Sequence, residues 1–175
     1  MLKLPIHPLT RFVVVGPHYP ENVGACARAL KTMGFTRLGL VNPGSIAHPD
    51  HEMAVKMAVR SLDVLAKTEV FDNLDEAIVG SALVVATTAR RGVSGVLSPR
   101  EVCPRVLELC ERGQQVCFLF GNEKTGLSRE ELTRAEVMLR IPMAADQPSI
   151  NLAQSVQVVA YELFTAALAH RERDT

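Results

Sequence analysis

The stretch 11-RFVVVGPHYPENVGACARALKTMGFTRLGLVNP-43 decides the fold class. Its first part, 11-RFVVVG-16, is apolar without alternation, as a strand covered on both faces requires. Next, 21-ENVGACARALKTMG-34 has helical spacing and Gly34 as its stop. Then 37-RLGLVNP-43 reads as a second strand, closed by Pro43. A buried strand, a helix and another buried strand in this order make one unit of a parallel α/β sheet.

The same alternation continues outward. Residues 50–60 look helical, and 73-NLDEAIVG-80 reads as a short helix ended by Gly80. The run 82-ALVVATT-88 is a further buried strand, followed by the loop 89-ARRGVSGVLSP-99. A helix is expected over 100-REVCPRVLELCER-112, with Pro104 tolerable only in a first turn. Residues 116-VCFLFG-121 form a strand. Ser128 and Glu131 form a capping box that opens a short helix at 128-SREEL-132. The run 137-VMLRIPM-143 is a short strand. A long amphipathic helix from about Asn151 to His170 closes the chain, with Leu152, Val156, Val159, Leu163 and Ala167 on one face beside Phe164. The expected architecture is a single domain over 1–175, a parallel sheet flanked by helices.

Composition fits an ordinary globular protein: 47% of the 175 residues are hydrophobic and 22% charged. No uninterrupted apolar run reaches the roughly 18–20 residues of a bilayer span. The start, MLKLPIHPLTRF, lacks a signal-peptide layout, so the cytoplasm is the expected location and no membrane is expected. Cys26, Cys103, Cys110 and Cys117 form no C-x-x-C pair, and reduced, buried thiols are expected. Lys plus Arg and Asp plus Glu both count 19, so a general basic footprint is missing. The charge is uneven, however. Arg90, Arg91, Arg100 and Arg105 face one acid, Glu101, in this part of the sequence, a local patch that could hold phosphate.

Several familiar motifs fail. G-x-G-x-x-G is absent after the first strand. GNEKTG is P-loop-like, but Glu123 stands where glycine is required. Residues 92-GVSG-95 miss the nucleophile-elbow spacing. His48 and His51 have no third ligand nearby, so no metal is expected.

Two loops remain: 121-GNEKTGLS-128 and 147-QPSINLAQS-155. The first follows a buried strand, where parallel sheets place their ligands. Gly121 and Gly126 allow close backbone approach there, and Asn122 and Glu123 are polar. The second leads into the long helix, which Asn151 is placed to cap. In the first helix, Asn22 and Cys26 share a face. Arg28 lies on another side among small and apolar neighbours, which is uncomfortable for an unpartnered charge.

Taken together, 22-NVGACAR-28, 119-LFGNEKTGLS-128 and 149-SINLAQSV-156 resemble the three motifs of the SPOUT class of RNA methyltransferases, specifically its TrmH-like ribose 2′-O-methyltransferases. The segments 86-ATTAR-90 and 157-QVVAYEL-163 are most similar to the TrmJ group of that family, and the likeness covers residues 11–165. Two positions depart from it: Asn122 stands where that group usually has Arg, and Pro148 where Ser is common. TrmJ-type chains also often continue beyond this helix.

The resemblance implies a SPOUT fold with a trefoil knot near the C-terminus, a homodimer, and S-adenosylmethionine as cofactor. It implies transfer of a methyl to the ribose of a pyrimidine in the tRNA anticodon loop, of the position-32 type. An rRNA methyltransferase of the same family, or a non-catalytic RNA-binding protein of this fold, are the alternatives. Carried over by position, Thr87, Thr88, Ala89, Gly121, Ile141, Pro148, Ser149 and Ile150 would contact the cofactor. Arg28 would meet the ribose, with Asn22, Glu123, Ser149 and Asn151 around it. Arg90, Arg91 and Arg100 form the candidate RNA footprint.

Overall fold

The computed structural model describes residues 2–144 and 149–173. Six strands form one sheet in which every pairing is parallel. They are β1 (Thr10–Val15), β2 (Leu38–Val41), β3 (Glu69–Phe71), β4 (Ser81–Thr87), β5 (Gln115–Phe120) and β6 (Val137–Leu139), in spatial order β3-β2-β1-β5-β4-β6. The helices are α1 (Ile6–Leu9), α2 (Pro20–Thr32), α3 (Glu52–Ala58), α4 (Leu62–Leu65), α5 (Leu74–Ile78), α6 (Pro99–Glu111), α7 (Arg129–Leu132) and α8 (Leu152–Arg173).

The unbroken apolar runs in β1 and β5 now have their reason. Alternate residues point to opposite faces, and helices cover both. Phe12, Val14, Phe118 and Phe120 face the larger core under α2, α6 and α8. Val13, Val15, Cys117 and Leu119 face a smaller core that includes Ala77 of α5 and Leu132 of α7. Phe12 stacks on Phe118 at 5.6 Å and meets Phe35 edge-on at 5.1 Å. Truncating a buried ring of this kind costs about 3–5 kcal/mol.

Expected and observed elements differ in three short pieces, the end of β6 and one proline. α1, α4 and β3 were not anticipated, because three or four residues are too few for periodicity to register. β6 ends at Leu139, short of the expected Met143. Pro104 lies in the second turn of α6, not the first. It is tolerated because it is exposed, so the Arg100 carbonyl it leaves unpaired can bond water. α6 is started by a capping box of Ser98 and Glu101, and α7 by the expected box of Ser128 and Glu131.

α8 buries Leu152, Val156, Val159, Leu163 and Ala167 as its spacing predicted. By length and composition it is apolar enough to cross a membrane. The same apolar stripe packs on α2 and α6. All four cysteines are free and buried. Burial pushes the thiols of Cys103 and Cys117 up to about 12. Gly24 allows α2 to lie directly against α3, since a Cβ there would sit 2.0 Å from the Ala54 carbonyl oxygen.

His7 is buried between Phe35 and Phe164. Its Nδ1 accepts the Leu4 N–H at 3.2 Å, while Nε2 has no partner among the described residues. Burial holds its pKa below the ordinary 6.5. Below that value the unfolded chain binds the proton and the folded chain resists it. His7 therefore contributes stability that is complete above about pH 6.5 and lost as pH falls toward its depressed folded value. Thermal midpoints should drop between about pH 7.5 and about pH 5, and His7→Asn should shrink that drop. An unchanged drop would contradict this assignment.

Candidate functional site

The strand order places the site. β1 pairs with β5, and β5 pairs with β4, which pairs with β6. The loops that leave the carboxyl ends of these four strands therefore meet at one rim of the sheet. Chain order reverses direction across β1 and β5, the position where open α/β sheets form a ligand crevice.

The first contact is between the loops after β1 and β5. The backbone N–H groups of His18 and Tyr19 donate to the Glu123 carboxylate at 2.9 and 3.3 Å. Asn22 Nδ2 donates to the same carboxylate at 2.8 Å. Glu123 is only 10% exposed, so these donors replace the water it has lost. It also brings negative charge to the start of α2, where Tyr19 provides no side-chain cap.

The loop before α8 joins the same cluster. Asn151 Nδ2 donates to Asn22 Oδ1 at 3.1 Å. Asn151 Oδ1 accepts from the N–H groups of Ala153 and Gln154, as the expected helix cap. Three segments distant in sequence are thus tied through Glu123, Asn22 and Asn151.

The β5 loop is folded tightly on itself. Asn122 Oδ1 accepts from the N–H groups of Lys124 and Thr125 at 3.0 and 2.9 Å, and its Nδ2 donates to Thr125 Oγ1. Asn122 thus serves the loop's own shape. The loop's ends nearly touch at Gly121, where a Cβ would lie 2.1 Å from Leu127 N and the Gly126 carbonyl carbon.

Beside this cluster opens a cleft of 390 Å³. Thr87, Thr88, Ala89, Gly121, Ile141, Ser149 and Ile150 all line it. Pro148 lies outside the described residues. Thr87 Oγ1 donates to the Leu119 carbonyl at 2.9 Å, joining β4 to β5 at the cleft floor. Thr88 N–H donates to the Leu139 carbonyl, joining β4's exit to β6.

The arginines separate. Arg90 lies at the cleft and donates from Nη2 to the Leu127 carbonyl at 2.8 Å, bracing the β5 loop. Arg91 is exposed on the following turn. Arg100 is at the start of α6, outside the cleft lining, and is paired through two hydrogen bonds with Glu162 of α8. Arg28 corrects an expectation. Its neighbours in sequence are small and apolar, yet its side chain is exposed on α2. The apolar residues around it turn inward while the 3.6-residue period turns Arg28 out. It does not line the cleft of its own chain.

Sequence reasoning missed three residues at this rim. Arg140 lines the cleft and donates to the Arg90 carbonyl. Lys124 also lines it, with Nζ 5.9 Å from the Tyr19 ring centroid. Tyr19 follows a β strand in a loop with no motif signal, so only the three-dimensional contact reveals it. His51 caps α3 by accepting from Met53 N, and His48 pairs with Asp50.

The chain matches the model of the SpoU rRNA Methylase family over residues 10–161. It is 40% identical over 167 residues to tRNA (cytidine/uridine/adenosine-2′-O-)-methyltransferase TrmJ from Pseudomonas aeruginosa, covering 94% of this chain and 64% of that protein. It is 38% identical over 165 residues to tRNA (cytidine/uridine-2′-O-)-methyltransferase TrmJ from Photorhabdus laumondii, covering 93% and 67%. The solved structure of TrmJ from Z. mobilis superposes with a TM-score of 0.80 at 33% identity, covering 90% of this chain and 69% of that one. The chain thus spans about two thirds of the length of these curated relatives.

Proposed function

This chain belongs to the SpoU rRNA Methylase family, and on that premise we propose that it is an S-adenosylmethionine-dependent RNA ribose 2′-O-methyltransferase acting on a pyrimidine of the tRNA anticodon loop. The observation that carries the proposal is the junction of Glu123, Asn22 and Asn151 beside a cleft lined by the loops after β4, β5 and β6. Its substrate assignment follows the names of the TrmJ relatives.

The residues present fit the cofactor. A 390 Å³ cleft is within the range of small-molecule sites. Its lining is mixed, with Ile141 and Ile150 for apolar groups and Thr87, Thr88 and Ser149 for polar ones. Backbone groups of Ala89 and Gly121 suit an adenine edge, and Pro148 belongs to this set by family position. When bound, S-adenosylmethionine supplies a methyl group on a sulfonium.

The chain's residues then have to align the ribose and manage its hydroxyl proton. Positioning of this kind contributes on the order of 7–11 kcal/mol in favourable cases. Glu123, held by three N–H donors, fixes Asn22 and the start of α2. Ser149 lines the cleft nearest α8, and Asn151 ties the start of α8 to Asn22. Arg28, exposed and outside its own cleft, acts at the cleft of a second copy, so the working form is a homodimer. There its guanidinium holds a phosphate and the developing alkoxide. A trefoil knot near the C-terminus and a cytoplasmic location complete this reading.

Calorimetric titration of S-adenosylmethionine tests the cofactor assignment. One saturable site per chain is expected. A folded protein that gives no binding would overturn it.

A further inference from the structure

We infer that Tyr19 is a stacking platform for a base of the RNA substrate, with Lys124 beside it holding the adjoining phosphate; this rests on the RNA-methyltransferase reading above. The chain has no tryptophan and two tyrosines. Tyr19 is 45% exposed at the rim of the candidate site. A single exposed aromatic residue needs no special explanation. What distinguishes Tyr19 is its mounting, its charge neighbour and its location.

The mounting is stiff. Tyr19 stands between Pro17 and Pro20, and Pro20 opens α2. The Pro17 carbonyl accepts the Gly44 N–H at 2.8 Å, and the Tyr19 carbonyl accepts the Asn22 N–H at 3.1 Å. The Tyr19 N–H is held by Glu123. His18 is fixed through Nδ1 to the Gly16 carbonyl at 2.9 Å, and its ring lies 6.4 Å from that of Tyr19. The phenol therefore projects from a backbone that is already ordered, and a stacked base would not have to order it.

The charge neighbour is Lys124, whose Nζ stands over one face of the Tyr19 ring, 5.9 Å from its centroid, and whose residue also lines the cleft. A flat aromatic face beside a cation is the combination that holds single-stranded nucleic acid, where the base stacks and the phosphate pairs. The location completes the case. Glu123, which binds the Tyr19 backbone, also binds Asn22, so Tyr19 is tied through one carboxylate to groups assigned to the ribose. A nucleotide whose ribose enters the cluster has its base, or that of its neighbour, at this rim.

The test uses the full chain loaded with S-adenosylmethionine and a fluorescent tRNA transcript carrying an anticodon loop. Tyr19→Ala and Tyr19→Leu should weaken RNA binding by about tenfold or more. Tyr19→Phe and Tyr19→Trp should retain it. Lys124→Gln should lower the salt slope of binding by about one. Cofactor affinity and sedimentation should stay unchanged in the Tyr19 variants. Wild-type RNA affinity in Tyr19→Leu would overturn the inference, since an apolar residue without a π face would then suffice. A change of oligomeric state in Tyr19→Ala would also overturn it, assigning the ring to a contact between copies. If the unaltered chain binds S-adenosylmethionine but no RNA, the RNA-substrate reading falls with it. If the unaltered chain binds RNA and Tyr19→Ala does too with equal strength, only the stacking assignment falls.

Discussion

Arg28→Ala is expected to reduce methyl transfer by on the order of a hundred- to a thousand-fold, the usual effect of removing one donor that stabilises developing charge. The fold should survive, because Arg28 is exposed and makes no hydrogen bond or ion pair with the described residues. Cofactor binding should survive as well, because Arg28 does not line the cleft of its own chain. Arg28→Lys separates two roles. Simple charge stabilisation keeps part of the activity in lysine, whereas a bidentate hold on phosphate or base chemistry at the guanidinium does not.

The exposure of Arg28 leads to a sharper experiment. If it serves the cleft of a second copy, Arg28→Ala should be rescued by a chain that keeps Arg28 but has its cleft filled, such as Ala89→Trp. Each variant alone should be inactive. Co-expressed, they should form mixed dimers with one complete site, giving about a quarter of full activity under random pairing. No recovery, despite mixed dimers seen by native mass spectrometry, would place Arg28 in its own chain's chemistry or outside it.

Gly121→Ala should have the second large effect. The added Cβ would stand 2.1 Å from backbone atoms of Gly126 and Leu127, which cannot move aside as a side-chain tip could. The loop must open, breaking the Gly126 N–H to Asn122 carbonyl bond at 3.0 Å. Glu123 is the second residue after Gly121, so its grip on the start of α2 loosens too. A loss of about 3 kcal/mol or more is expected, within the upper tail for single substitutions. It should appear as a fall in the denaturant midpoint together with loss of S-adenosylmethionine binding. Full cofactor affinity in Gly121→Ala would mean that the pinch is not needed for the cleft.

Much of this site was legible in the sequence, for identifiable reasons. The runs in β1, β4 and β5 are apolar on both faces, so composition alone marks them as central strands. The capping box at Ser128 and the cap at Asn151 are local chemistry, readable from spacing. Glu123, Asn22 and Asn151 were recognisable as one set only through family resemblance, and the hydrogen bonds among them give that resemblance a physical form. The surroundings of Arg28 were misread because neighbours in sequence are not neighbours on a helix face. Tyr19 and Arg140 carried no pattern, and Lys124 was marked only as part of the 121–128 loop, with nothing to show that it reaches Tyr19. Their meeting depends on β1, β5 and β6 ending at the same rim, which follows from strand order and not from any local spacing.

The most direct measurement incubates the unaltered chain with methyl-labelled S-adenosylmethionine and a tRNA transcript, then hydrolyses the RNA in alkali. A 2′-O-methyl group blocks cleavage at its own nucleotide. The label should be recovered in an alkali-resistant dinucleotide from the anticodon loop, and the signal should disappear with Arg28→Ala. Label recovered in mononucleotides would place the methyl on a base and contradict the ribose assignment. No transfer from a chain that binds both cofactor and RNA would contradict the enzymatic reading itself.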